Sequence, residues 1–265
     1  MRKYFAIFQT TLVNSMAYPG ELVGRSLMIL PFMWIFYQLW KVTFAAAGAD
    51  IINGLTLHDT LWYLMMAETI EISRSRVART IAENVKDGSI AYLLNKPYDF
   101  MVYQYSVAMG ETLFRGLLTA VFGGAVIWWL EGPPPDLRSW PLTVIAVLGA
   151  WTLNFLVNGM IGLAAFVSEE VAPFEWIYQK FAFIFGGLLI PLDFYPKWLQ
   201  NIAFALPFPA MTYGPSRLFV SPDARLFASV ILQQAIWILV LGLLLIVAYR
   251  RGLAYLTLNA PLNRC

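Results

Sequence analysis

Apolar residues along this chain gather into six long stretches, separated by short polar or basic segments: Leu22–Ala47, Asp59–Arg79, Phe100–Leu130, Trp140–Val167, Phe174–Phe194 and Leu226–Tyr249. A helix needs about 20 predominantly apolar residues to cross the hydrocarbon core of a bilayer. No stretch alternates with the two-residue period of a strand, and lipid admits only helices or closed barrels, because every backbone polar group must find its partner internally. The expected fold is all-α: a polytopic membrane protein with six transmembrane helices, forming a single transmembrane domain over residues 1–265.

Polar punctuation refines this reading. Before the first span, Phe5, Phe8, Leu12 and Met16 share one helical face, with Lys3, Thr10 and Asn14 opposite. That pattern predicts an interfacial amphipathic helix over 1–18, turned into the membrane by Pro19. The polar residues Gln9, Thr10, Thr11, Asn14 and Ser15 interrupt the segment too early for a secretory signal. Gly20 and Gly24 form one small-xxx-small pair, and Gly116, Ala120 and Gly124 a second run at spacing four; both predict close helix packing. After Ile190 come Pro191, Pro196, Pro207, Pro209 and Pro215 with apolar runs too short to span. Residues 191–217 are expected to form short re-entrant helices on the extracellular side.

Charge supplies the orientation. Twelve Lys and Arg residues fall on one side of the predicted layout (Arg2, Lys3, Arg25, Arg74, Arg76, Arg79, Lys86, Lys96, Lys180, Arg250, Arg251, Arg264), and five on the other (Lys41, Arg138, Lys197, Arg217, Arg225). Basic residues are retained in cytoplasmic loops, so both termini are expected in the cytoplasm. Composition agrees: 59% of residues are hydrophobic and only 13% charged, against roughly 25% charged in soluble domains.

Trp34, Tyr37 and Trp40, with Trp62, Trp128, Trp129, Trp140 and Trp198, fall near the predicted outer boundary, where they anchor at the interface or line a cavity for a hydrophobic ligand. The second span carries Glu68, Glu71, Arg74, Arg76 and Arg79, which lipid would not tolerate. Either its last turns stand in cytoplasmic water, with Glu71 and Arg74 paired at i,i+3, or Glu68 faces a polar translocation route. Glu111 and Arg115 read as an i,i+4 pair near the inner boundary or as pathway residues. Asn154 and Asn158 read as interhelical hydrogen-bonding groups or pathway residues.

Between the second and third spans, Ile81, Val85, Ile90 and Leu93 alternate with Arg79, Glu83, Lys86 and Asp87; Gly88 ends one short helix and Ser89 caps the next. Residues 79–97 therefore form a docking surface, and Ser168 with the acidic Glu169, Glu170 and Glu175 of the later return offers a second contact. Enzyme chemistry finds little support. The lone histidine, His58, cannot supply a His-based metal cluster, and Cys265 has no partner for a disulfide or paired metal site. No nucleophile elbow and no phosphate-binding G-x-x-x-x-G-K-[ST] loop occur.

DGSIAYLLNKP before the third span, FGGLLIPLDFYPKWLQNIAFALPFPAMTYGPSRLF after the fifth, and QQAIWILVLGLLLIVAYRRGLAYLTLNAP at the end resemble ABC-2 type permeases, the six-span membrane subunits of bacterial ABC exporters. The resemblance implies a bacterial plasma-membrane protein, not itself an enzyme and with no cofactor of its own. It pairs with a second copy or a sister permease over two ATPase subunits, which bring ATP and Mg. Residues 79–97 would be the coupling region, with 168–173 the shorter inner contact, and the cargo an amphipathic small molecule, drug, lipid or glycan. No nucleic-acid partner is expected. An ATP-independent carrier or channel is the competing reading, though the inverted repeats common in carriers are not evident.

Overall fold

The computed structural model describes residues 2–17, 19–168 and 170–259. Helix α1 (Arg2–Ala17) leads into α2 (Pro19–Ser26) and α3 (Ile29–Ala47). A two-residue-stranded hairpin follows, β1 (Ile51–Ile52) antiparallel to β2 (Leu55–Thr56). Next come α4 (Leu57–Ser73), α5 (Val77–Lys86), α6 (Ser89–Leu94), α7 (Phe100–Glu131) and α8 (Trp140–Leu163). The chain ends with α9 (Ala172–Phe185), three short helices α10 (Lys197–Phe204), α11 (Phe208–Met211) and α12 (Tyr213–Val220), and the long α13 (Ala224–Asn259). The hairpin is the one departure from all-α architecture among the described residues. Asn53-Gly54, both at positive φ, is the dipeptide that two-residue hairpin turns favour. Thr56 then starts α4 through a reciprocal capping box with Asp59.

Four helical segments are long and apolar enough to cross a bilayer: Ile29–Ala47, Phe100–Glu131, Trp140–Phe166 and Ala224–Ala254. The other two expected spans are not single helices. Asp59–Arg79 breaks after Ser73 and resumes as α5. Phe174–Phe194 is α-helical only to Phe185, with one 3-10 turn at Leu192–Phe194; between them Gly187, at φ +68°, turns the chain, and its carbonyl accepts a 2.7 Å bond from the buried Tyr63 hydroxyl. Hydropathy registers apolar burial but not backbone direction, so it runs straight through both breaks.

Contacts along α7 set a common axis. His58, at the start of α4, lies 2.8 Å through Nε2 from the Pro133 carbonyl just past the end of α7. At the other end of α4, Ser73 lies beside Gly116. The helices are antiparallel, and α4 covers the stretch of α7 from Glu131 down to Arg115, about 24 Å at 1.5 Å per residue. Below Arg115, α7 continues for a further four turns toward a basic end that carries α5 and α6.

Helix α1 belongs to that basic end. Lys3 Nζ donates to Pro97 O at 2.6 Å, the Asp99 amide donates to the Tyr4 hydroxyl at 2.9 Å, and Gly110 lies against Phe8 and Thr11. Helix α1 therefore runs alongside α7 in the same direction, with Tyr4, Ile7, Phe8, Thr11, Leu12 and Ser15 turned inward. Phe5 and Met16, assigned by periodicity to the apolar face, are exposed. The face is rotated because it is chosen by contact with α7, which a helical-wheel reading of α1 does not contain.

Packing glycines also differ from expectation. Gly20 and Gly24 meet nothing within 4 Å. On α7 the inward face runs through Gly116, Thr119, Gly123 and Ile127. A Cβ at Gly116 would strike the Trp151 ring, and one at Gly123 would strike Ile29 and Met65. Ala120 and Gly124 instead line an open cleft. Gly116 thus packs closely as expected, while Ala120 and Gly124 turn toward the cleft because neighbouring helices approach α7 through Thr119 and Gly123 instead.

Candidate coupling site at the α4–α5 break

A helix end leaves carbonyls without intrahelical partners, and they carry partial negative charge. At the end of α4, Arg74 leaves helical geometry (φ −50°, ψ 134°) and three residues intervene before α5. Arg115 of α7 closes this end. Its Nη1 donates to Arg74 O at 2.8 Å, with Ser73 O at 3.4 Å, from a side chain that is 5% exposed. Glu111 lies 3.9 Å from Arg115 Nη2, longer than a hydrogen bond. The expected Glu111–Arg115 pair is thus secondary to a backbone cap, which required knowing that α4 ends opposite Arg115.

Arg74 turns the other way. Its Nη1 is 3.0 Å from Glu71, and both side chains are 14% exposed, so the i,i+3 pair forms but not in open water. The Arg74 guanidinium stacks 5.4 Å from the Tyr178 ring centroid, and the Tyr178 hydroxyl donates to Asn154 Oδ1 at 2.6 Å. The amide groups of Asn154 and Asn158 donate along their own helix, to Ala150 O and Asn154 O. Asn154 alone of the two therefore bridges helices. Glu68 lies above Glu71, nearly buried, and its Oε1 has no hydrogen-bond partner among the described residues. The break thus gathers Glu111, Arg115, Arg74 and, through Tyr178, Asn154; Glu68 and Asn158 stand outside its hydrogen bonds.

Below the break, α5 lays Val77, Ala78, Ile81 and Ala82 against the protein. A Cβ on Gly162 of α8 would fall 3.0 Å from Ala78 Cα and 3.0 Å from Ile81 Cβ, so α5 rests directly on the α8 backbone. Two ion pairs tie it to the later return. Arg79 Nε meets Glu175 Oε2 at 2.8 Å, and Lys86 Nζ meets Glu170 Oε1 at 2.8 Å. Ser168 Oγ donates to the Glu170 carbonyl at 3.2 Å; Glu169 lies outside the described residues. Arg79 and Lys86, expected among the docking charges, are thereby engaged within the chain. Glu83 and Asp87 remain exposed.

Gly88 adopts φ +77°, a conformation that other residues reach only with strain, and so separates α5 from α6. The carboxylate that caps α6 belongs to Asp87, which accepts from the Ser89 amide at 2.8 Å; Ser89 itself is the first helical residue. Bonding from Ser89, chiefly its side chain, holds Asp87 below the ordinary carboxylate value. The resulting anion persists through neutral pH.

Charge exchange tests the tie between the two connections. Arg79→Glu alone sets a carboxylate against the buried Glu175 and is expected to cost about 2 kcal/mol. The double variant Arg79→Glu/Glu175→Arg should recover at least half of that in a double-mutant cycle followed by thermal unfolding in detergent. Additive losses would show that the two side chains do not interact energetically.

Sequence reasoning missed Tyr178, Gly162 and Gly110. Tyr178 carried no polar pattern. Gly162 follows Asn158 by four positions, on the same helical face, and that periodicity was its available signal.

These features define a multi-pass helical membrane protein with a reinforced break between α4 and α5. The family pattern described as "ABC-2 family transporter protein" matches residues 27–259. The chain belongs to that family and is a permease component of an ABC transporter, a class that associates with an ABC ATPase. No curated protein matches it.

Proposed function

We propose that this chain is the membrane-spanning half of an ATP-driven exporter in the bacterial inner membrane, with its basic end and both termini in the cytoplasm. It pairs with a second permease, identical or sister, above two ATPase subunits that hold ATP and Mg. Helix α4, and α9 with the segment that follows it, complete six crossings. The cargo is an amphipathic small molecule, drug, lipid or glycan.

The observation that carries this reading is the joining of α5 to the later return through Arg79–Glu175 and Lys86–Glu170, on a helix seated against Gly162. A push from an ATPase on α5 or α6 would be delivered to α8 and to the Arg115-capped end of α4 as one body. Glu83, Asp87 and the 67% exposed Tyr92 form the ridge left for contact. The ridge carries both signs of charge, since the Lys96 ammonium lies 4.5 Å from the Tyr92 ring centroid; the complementary ATPase surface would offer basic groups to Glu83 and Asp87 and an apolar recess to Tyr92.

Co-purification tests the assignment. In mild detergent the ATPase subunit should remain attached, and its hydrolysis should require this chain. Glu83→Lys/Asp87→Lys should weaken retention by roughly tenfold, the effect of placing like charges across an interface, while membrane insertion persists. Undiminished retention would remove this ridge from the contact. Transport by the chain alone, without an ATPase, would overturn the exporter reading.

A further inference from the structure

Helices α7 and α8 touch where Gly116 lies under Trp151. Toward the hairpin end a cleft of about 460 Å³ opens between them. Its floor is the α7 face carrying Leu117, Ala120, Gly124 and Trp128; α4 closes the back with Met65 and Met66, and Phe219 of α12 closes the top. Side chains as small as Ala120 and Gly124 leave the floor recessed. Trp128 and Trp140, 60% and 48% exposed, stand at the mouth.

We infer that this cleft is a binding site for one acyl chain of a bilayer phospholipid, held as a resident lipid distinct from the exchanging annulus. Three observations select that occupant. From Leu117 to Trp128 the floor measures about 16 Å along the helix, close to half of the roughly 30 Å hydrocarbon core, the depth of one leaflet. No charged side chain lines the cleft among the described residues, its polar side-chain atoms being the Thr143 hydroxyl and indole nitrogens, so an ion would forfeit its hydration without a counter-charge. The paired indoles lie where aromatic rings favour the boundary between tail and headgroup. An empty wedge at this depth would also leave the exposed Leu117, Val121 and Val144 side chains without dispersion contacts on one side.

The inner end of the cleft, at Leu117, is two residues from Arg115. A chain seated there would brace α7 against α4 immediately above the capped break. This inference depends on the membrane fold and not on the ATPase assignment, so either can fail alone.

The test uses the purified full-length protein in nanodiscs of phosphatidylcholine bearing a diazirine at the end of one acyl chain. Photolysis and peptide mapping should place adducts preferentially on residues 65–66 and 117–125. A Cβ at Gly124 would lie 3.7 Å from the Trp62 ring, an ordinary contact, so the cleft can be filled without forcing the backbone. Ala120→Leu/Gly124→Leu should lower these adducts roughly tenfold, as displacing about two methylenes of buried chain predicts. Adducts on the exposed Leu239 and Leu243 of α13 should be unchanged, reporting an intact fold. Uniform labelling of every lipid-facing helix, an unlabelled cleft as expected if a second protein helix fills it, or cleft labelling indifferent to the leucines would each overturn the proposal.

Discussion

Arg115→Met should lower the thermal stability of the purified protein by roughly 5 °C or more, the consequence of losing about 2–4 kcal/mol from buried carbonyls left without a donor. Methionine matches much of the arginine's length and removes the guanidinium's own burial cost, so the loss would report chiefly on the Ser73 and Arg74 carbonyls. Ser73 is fully buried and the Arg115 side chain only 5% exposed, so water is a poor substitute. Arg115→Lys should recover only part of the loss, because an ammonium lacks the planar fork of donors. Scanning calorimetry or a thermal-shift assay in detergent checks the series. Equal stability of wild type and Arg115→Met would show that the α4 end is satisfied otherwise.

Gly162→Leu should have the larger effect on coupling. No side chain fits between α8 and α5, where Ala78 Cα and Ile81 Cβ already stand 3.0 Å from the missing Cβ position. Leucine would push α5 outward, strain both ion pairs and cost about 1–3 kcal/mol through overpacking. If α5 transmits force from an ATPase, stimulation of hydrolysis should fall at least fivefold, by the convention that about 1 kcal/mol of lost coupling is a factor near five. The chain should still insert, since leucine keeps the Trp140–Phe166 segment apolar and the other three long apolar helices are unaltered. Gly162→Ala, with one methyl group, should fall between. Wild-type stimulation in Gly162→Leu would separate α5 from the coupling route.

Both effects concern contacts between segments far apart in the chain, which explains why they were hard to anticipate. Hydropathy locates α3, α7, α8 and α13 because a long apolar helix is a local property of composition and length. It runs past the ends of α4 and α9, where the chain turns at Arg74–Arg76 and after Phe185 by virtue of partners on other helices. Charge pattern found Arg79, Lys86, Glu170 and Glu175 as surface groups, but not that they neutralise one another. Ion pairing across more than eighty residues depends on α5 and α9 meeting beneath α8. The hairpin at Asn53-Gly54 carried a local signal in that dipeptide, and the sequence reading passed over it.

Composition and order along the chain were sufficient for a helical multi-pass membrane protein, because transfer of apolar side chains into lipid is a sum over residues and needs no knowledge of neighbours; the ABC-2 family rested on the resemblance carried by three particular stretches. Three-dimensional packing was needed to show that α1 lies along α7, that Arg115 closes α4, and that the cytoplasm-assigned connections are clamped together. A hydrogen bond or ion pair acts over a few ångströms between specific atoms, and which atoms come that close is a property of the folded molecule.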